Sequence, residues 1–421
     1  MATENLIPQI RFPEFSGNWE IKEFGNLYDF KTTNSFSRDN LNYENGSVKN
    51  IHYGDIHTKF NAQFDITKEL VPFINEDIDV SKINDESYLI EGDLVIADAS
   101  EDYADIGKAI EIINLNDEKT VAGLHTLLAR RKSEDIAIGF ASFVLKTNRV
   151  RLAVMKIAQG SKVLSISANR FAKIDLHLPN LPDEQTKIAN FIAKIDTQIQ
   201  LLEKEKALLE KYKKAISKKI FNQEIRFKDD NGNDFPDWEE KVLGDIFEYK
   251  NGKSFEQEVC ENGTYNLITL NSIDIDGKLK SEHKTVNIND NSLNKNDLIM
   301  ILSDVAHGYF LGLTAIVPEN DKYVLNQRVG ALKPVEEFDV YFVSKYINIS
   351  QKYFKLKGQG SSQQNLSKGD ILKFKIYLPN IKEQIKISNF IESLYLSIDK
   401  LDVKIHNTKY FKKSLLQKMF V

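Results

Sequence analysis

Two stretches of the chain concentrate side chains that could hold a polyanion. Residues 144–174 carry Lys146, Arg149, Arg151, Lys156, Lys162, Arg170 and Lys173 and no acid. Residues 352–375 carry Lys352, Lys355, Lys357, Lys368, Lys373 and Lys375 against Asp370 alone. Each contains a polar loop around Gln-Gly-Ser, AQGSKVLSIS at 158–167 and GQGSSQQNLS at 358–367. Gln159, Ser161, Gln359, Ser361, Ser362, Gln363 and Gln364 thereby offer amides and hydroxyls suited to phosphate oxygens or base edges. One charge run is ordinarily a solvated face. The same acid-poor, amide-rich composition at matching places in two halves points to a polyanion surface. By contrast, 74–93 holds Glu76, Asp77, Asp79, Asp85, Glu86, Glu91 and Asp93 against Lys82.

No constellation for bond-making chemistry accompanies these stretches. Gly252-Lys253-Ser254 resembles the end of a phosphate-binding loop, but the glycine required upstream is Phe247. There is no G-x-G-x-x-G, and no Pro-Pro pair of the Asn-Pro-Pro-Phe methyltransferase type. The carboxylates of Asp237, Glu239 and Glu240 are too close in sequence to converge from separate strands. The histidines form no H-x-x-x-H or H-E-x-x-H pair. His52, His57, His125 and His307 read as surface or hydrogen-bonded residues. Cys260 stands alone, which excludes a disulfide framework and a cysteine zinc site and fits a reducing cytoplasm. The expectation is a non-enzyme with no metal site.

The polar stretches must be positioned by larger elements, and the clearest is 182–221. After Pro182 no Pro or Gly interrupts it, Asp183 and Glu184 open it, and Lys218 and Lys219 close it. About 39 residues at 1.5 Å each predict a helical rod of roughly 58 Å. Ile188, Ile192, Ile195, Ile199, Leu202, Leu209, Ile216 and Ile220 recur at heptad spacing, interrupted by Lys206 and Lys213. Such a narrow apolar seam calls for a partner helix. The last forty residues supply it with Ile387, Ile391, Leu394, Ile398, Leu401, Ile405, Leu415 and Met419, each 199 positions beyond the matching point of the first seam. Glu184-Gln185 recurs as Glu383-Gln384, Asn190-Phe191-Ile192 as Asn389-Phe390-Ile391, and Leu-Pro-Asn precedes both helices at 178–180 and 378–380.

The repeat extends upstream. Gln9-Ile10-Arg11-Phe12 is echoed by Glu224-Ile225-Arg226-Phe227, Trp19-Glu20 by Trp238-Glu239, and Phe24-Gly25 by Leu243-Gly244. Phe30-Lys31 matches Tyr249-Lys250 and Ser35-Phe36 matches Ser254-Phe255, so Lys31, Ser35, Lys250 and Ser254 join the candidate polyanion-binding set. Buried strands are predicted at 94–97 and 298–302 after Gly-Asp and Asn-Asp turns, helices over 138–158 and 339–357, and alternating strands at 174–178 and 374–378. The middles, about 40–90 and 256–295, match poorly, which suggests one job done on two different targets. The expected domains are 1–181, the helix 182–221, 222–380 and the helix 381–421.

The apolar fraction of 42% and charged fraction of 28% are ordinary for soluble proteins, and no apolar run reaches the roughly 20 residues of a membrane span. The start, MATENLIPQIRF, lacks a secretory apolar core. A net charge of −5 argues against indiscriminate nucleic-acid binding while leaving room for a local basic surface.

The paired Trp19…Phe24-Gly25 and Trp238…Leu243-Gly244 frames, Gly54-Asp55-Ile56, the Gln-Gly-Ser loops and the LPN…EQ…NFI run before each heptad helix resemble the specificity subunit of type I restriction–modification enzymes. The resemblance covers essentially the whole chain. It implies a mixed α/β fold: two target-recognition domains, each reading half of a split DNA sequence, held apart by two long antiparallel helices in an intramolecular coiled coil with pseudo-twofold repeat. It implies docking of methyltransferase and restriction subunits on the helices. S-adenosylmethionine, ATP and magnesium then belong to those partners, and no membrane is involved. A coiled-coil scaffold with two protein-binding ends is the alternative.

Overall fold

In the first half, Leu94-Val95-Ile96-Ala97 forms a strand because every side chain is apolar and both faces of the sheet are covered. Leu94 and Ile96 pack into one core with Phe24, Tyr28 and Phe171; Val95 packs on the opposite side with Phe64, Ile110 and Leu128. The computed structural model describes residues 6–290, 293–305 and 309–421. They fall into two compact units, Met1–Lys204 with Asp402–Val421, and Glu205–Leu401.

The sheet of unit 1 uses β1 (Tyr28–Lys31), β2 (Gln63–Asp65), β3 (Leu94–Ala97), β4 (Ala109–Asn114) and β5 (Thr126–Arg131), in the order β1-β5-β3-β4-β2. All neighbours are antiparallel except β2 and β4. A second sheet joins Leu41–Asn42, Lys49–Ile51, Phe73–Ile74 and Thr120–Ala122. Helix α1 spans Tyr53–Thr58 and α2 spans Asn148–Ile157. The continuous helix expected over 138–158 is instead Ala141–Val144 followed by α2. Thr147, at the N-cap of α2, is extended at φ −66°, ψ 148°, which breaks the helical path. Strand Asp175–Leu178 pairs with Glu20–Glu23 and leads into the long helix α3, Pro182–Phe221.

Unit 2 repeats this order. β6 (Phe247–Asn251), β7 (Leu298–Ile301), β8 (Thr314–Ile316) and β9 (Val329–Pro334) form an antiparallel sheet in the order β6-β9-β7-β8. β7 again divides its side chains, Leu298 and Met300 to one core and Ile299 and Ile301 to another. The helix expected over 339–357 is two, α4 (Val340–Ile349) and α5 (Gln351–Lys357). Ser350 sits at the break and donates its hydroxyl to the Tyr346 carbonyl at 2.9 Å. Strand Lys375–Leu378 pairs with Glu239–Val242 and feeds α6, Ile381–Lys418.

Both long helices therefore run where their seams predict. Ile188, Ile192, Ile195, Ile199, Leu202, Ile387, Ile391, Leu394 and Ile398 are buried, and Leu401 is half-buried. In unit 1 the early part of α3 meets the late part of α6: Ile188, Ile192, Ile195 and Ile199 share a core with Leu415, Met419 and Phe420. Lys409 pairs with Glu203 at 2.6 Å, and Lys412 with Asp196. In unit 2 the late part of α3 meets the early part of α6, with Ile220, Phe221, Ile387 and Ile391 in one core and Lys213 Nζ 3.8 Å from the Tyr395 ring centroid. Pairing of early with late residues is the antiparallel arrangement.

The repeated Glu-Gln fixes where each helix begins. Glu184, 1% exposed, receives Arg11 through Nε and Nη2, both at 2.8 Å; Glu383, 0% exposed, receives Arg226 at 3.2 and 2.8 Å. Gln185 bonds the Ala137 N–H and the Pro179 carbonyl, and Gln384 bonds the Asp339 N–H and the Pro379 carbonyl. The echoed arginines and Glu-Gln pairs of the sequence are thus two ends of one clamp.

Candidate nucleic-acid interface

Each polar loop folds as a tight hairpin. Gln159 and Ser165 exchange backbone hydrogen bonds at 2.9 and 2.7 Å, and Gln359 and Asn365 at 3.0 and 2.9 Å. The turn needs glycine: Gly160 has φ +129° and Gly360 +120°, and a Cβ there would lie 1.9 and 2.0 Å from the carbonyl oxygens of Val163 and Gln363. Gln159, Ser161, Lys162, Gln359, Ser361 and Ser362 are exposed, while Gln363 and Gln364 are half-buried. Their strand, Gln363–Asn365, pairs with Ser303–Val305, and Leu164–Ser165 pairs with Ala99–Ser100. The hairpins are thereby anchored just beyond the central strands β7 and β3.

In unit 1, α2 and the segment after the hairpin enclose an open groove of about 660 Å³. Arg149, Lys156, Arg170 and Lys173 rim it, with Asp175 as the single acid and Leu152, Ala153, Ile157 and Ile174 as floor. Arg149 and Lys156 are exposed, as a phosphate-binding surface requires. Arg151 turns the other way: its Nη2 donates to the carbonyls of Ala104 at 3.2 Å and Ile106 at 2.7 Å. Burial lowers its pKa. It ties down the 102–106 loop. Arg170 and Lys173 were visible in the basic run, but only the fold shows them on the rim with Arg149 and Lys156.

In unit 2, Lys352 and Lys357 are exposed on α5 and Lys355 is half-buried. Lys355 Nζ sits 4.3 Å from the centroid of Tyr309, a ring 69% exposed, and Lys357 Nζ 5.9 Å from that of Tyr353. Tyr309 has no counterpart in the sequence pattern and was missed; its exposure is the signal. Lys31 and Lys250 lie on the edge strands β1 and β6. Lys31 pairs with Glu86 at 3.1 Å, and Ser35 and Ser254 are exposed. Among the described residues, neither Lys31 nor Ser35 lines the α2 groove.

The Gly54-Asp55-Ile56 motif opens α1. Asp55 is fully buried and accepts from Arg38 at 2.6 Å and Lys59 at 2.8 Å. Burial pushes its carboxyl up, but those bonds outweigh it and hold the pKa below the ordinary value. His52 is 7% exposed and caps α1, its Nδ1 accepting from the Gly54 N–H at 3.1 Å. Burial, then nearby Arg38, brings its pKa down to about 4. His57 and His125 both stand edge-on to Tyr53. His307 lies outside the described residues. Among the described residues no group of three or more His, Cys, Asp or Glu could hold a metal ion, and no helix is long and apolar enough to cross a membrane.

Comparison with known proteins places this geometry. The family model of the type I restriction modification DNA specificity domain matches twice, over residues 16–211 and 236–408. The MjaVIII specificity subunit of a type I restriction enzyme from Methanocaldococcus jannaschii is 27% identical over 256 residues, which cover 56% of this chain and 59% of that protein. The chain thus spans under two thirds of that relative's length. The putative MjaX specificity subunit of the same organism is 24% identical over 90% of this chain and 88% of its own. Among solved structures, the S subunit of a type I restriction-modification system from M. genitalium matches with a TM-score of 0.58 at 18% identity, covering 99% of both chains. A chain from a study of type I R-M complex assembly and conformational transition matches at 0.55 and 12% identity, covering 94% of this chain and 96% of its own. With two copies of the domain model covering most of its length, this chain belongs to the type I restriction–modification DNA specificity family.

Proposed function

We propose that this chain is the non-catalytic subunit that gives a type I restriction–modification complex its DNA sequence, reading a bipartite duplex target with one half-site per recognition domain. The observation that carries this is the duplicated polar hairpin, Gln159–Ser165 and Gln359–Asn365, presented beside cationic helices in both units. Phosphates are held by Arg149, Lys156, Lys162, Lys352, Lys355 and Lys357. Amides and hydroxyls of the hairpins share that contact set, and Lys31, Ser35, Lys250 and Ser254 extend it beyond the groove. The recognition domains are 1–181 and 222–380; the helices 182–221 and 381–421 receive methyltransferase and restriction subunits. Those subunits bring S-adenosylmethionine, ATP and magnesium, and the complex works in the cytoplasm. The scaffold reading is not favoured, because the specificity-domain match covers both globular parts.

The test is to exchange residues 224–380 for the equivalent region of another specificity subunit and sequence the methylome of cells carrying each version. One half of the methylated motif should change and the other persist. A change in both halves, or no motif attributable to the chain, would sink the reading.

A further inference from the structure

Unit 2 contains a cavity of about 290 Å³ whose mouth carries Lys355 and Tyr309 of the candidate DNA surface and whose interior holds groups that surface does not use. It lies where α4 and α5 meet the late part of α3 and the early part of α6. Phe221, Ile275, Leu313, Ile349 and Ile391 give it apolar walls, and Tyr309 and Tyr395 add aromatic rings.

Ser217, Asp276, Asn348 and Lys355 also line it, and two further polar groups, Lys345 and Gln351, are less well partnered than these surroundings allow. Lys345 is only 7% exposed, and its ammonium donates to the Asp276 carbonyl at 3.1 Å rather than to a carboxylate. The rings of Tyr395 and Tyr341 stand 4.4 and 5.2 Å from it. Burial lowers the Lys345 pKa to about 8, so the ammonium still prevails at neutral pH. Gln351, the first residue of α5, has both Nε2 and Oε1 buried without a hydrogen-bond partner. The neighbouring amide shows how such a group is normally accommodated: Asn348 accepts from Thr314 N at 2.8 Å and Oγ1 at 2.9 Å and donates to its carbonyl at 2.9 Å. A buried amide left wholly unpaired is destabilising by itself, and the Lys345 ammonium, which feels the charges of Asp276 and Asp274, makes no direct ion pair with either carboxylate among the described residues. Both deficits face the same space.

We propose that this cavity binds a small ligand joining an anionic group to a flat heterocycle with adjacent donor and acceptor, the chemical class being a purine nucleotide. The anionic group meets Lys345. The heterocycle edge meets Gln351 in the way a glutamine amide pairs with the N6 and N7 edge of adenine. The aromatic and aliphatic walls take its faces.

Isothermal titration of the full chain with AMP, adenosine and orthophosphate tests this. AMP should bind saturably, and adenosine and orthophosphate each about tenfold or more weakly, since each keeps only one of the two polar contacts. Lys345→Met should reduce AMP to the level of adenosine, and Gln351→Leu should weaken AMP and adenosine but not orthophosphate. Gln351→Leu removes an unpaired buried amide, so without ligand that protein should melt no lower than the parent; Lys345→Met loses the bond to the Asp276 carbonyl, so its AMP titration is read only on protein whose melting shows it folded. Absence of saturable AMP binding would mean that the cavity holds only water and would overturn the proposal. AMP binding indifferent to both substitutions would overturn it too, by placing the nucleotide elsewhere, such as on the DNA surface.

Discussion

At the scale of single residues, the basic run of unit 1 divides into two kinds of side chain. Replacing Arg149 and Lys156 together by Ala should weaken binding to every DNA sequence and lower the salt slope by about 0.9 per lost phosphate contact, measured by titration at several salt concentrations. Arg151→Ala should instead lower the unfolding midpoint of unit 1, because the carbonyls of Ala104 and Ile106 lose their donor. Sequence alone placed the three together; charge is legible there, but the direction a side chain takes from a helix is not when both faces carry cations. His52 gives a pH signature. Its pKa falls from the ordinary 6.5 of a histidine to about 4 on folding, so the unfolded chain takes up its proton first as pH drops. Its contribution is present above pH 6.5 and is lost between 6.5 and 4, by at most about 3 kcal/mol. His52→Asn keeps an acceptor for the Gly54 N–H and should flatten that part of the stability profile, read by chemical denaturation at pH 4, 5.5 and 7.

At the scale of elements, the clamps are the parts most sensitive to change. Arg226→Ala leaves the Glu383 carboxylate buried with only the Trp238 indole N–H, 3.2 Å away, and should destabilise unit 2 by about 3–5 kcal/mol. The double replacement Arg226→Met with Glu383→Met should recover much of that loss, since neither ion is then stranded; denaturant midpoints of the three proteins decide. The long helices were legible because a forty-residue stretch free of Gly and with a heptad seam has few other solutions. The strands 94–97 and 298–301 were legible as short apolar runs after turn residues. The breaks at Thr147 and Ser350 were not, since both residues are tolerated inside helices and only tertiary packing decides that the chain turns there. The clamp was half legible: the repeat exposed both partners, but nothing in either sequence copy says that residues 173 positions apart in the first and 157 in the second touch.

At the scale of the whole molecule, the paired helices are expected to set the spacing between half-sites. Inserting seven residues after Leu209 and seven after Thr408 keeps both seams in phase and adds about 10 Å of helix. At about 3.4 Å per base pair, the preferred spacer should lengthen by roughly three base pairs while both half-site sequences persist. Methylome sequencing reads both quantities at once, and an unchanged spacer in a stable double insertion would show that something else sets the distance. Domain number and order were legible from the internal repeat. The division of each long helix between the units was not, because sequence places a boundary where composition changes, whereas contacts give the late part of α6 to the first unit.

That division has a consequence for synthesis. Phe420 stacks on Phe140 with ring centroids 5.6 Å apart and meets Trp19 edge-on at 6.0 Å, beside the buried Leu415 and Met419. A ribosome that has finished residue 204 has still to make the whole of unit 2 before these side chains exist. At 5–20 residues per second that delay is on the order of 10–40 s. The contiguous second unit can fold first, while the first waits with its core open at one end. A released chain ending at Lys404 should therefore protect residues of unit 2 from protease and leave those around Phe140 cleavable, a vulnerability that the last turns of α6 remove.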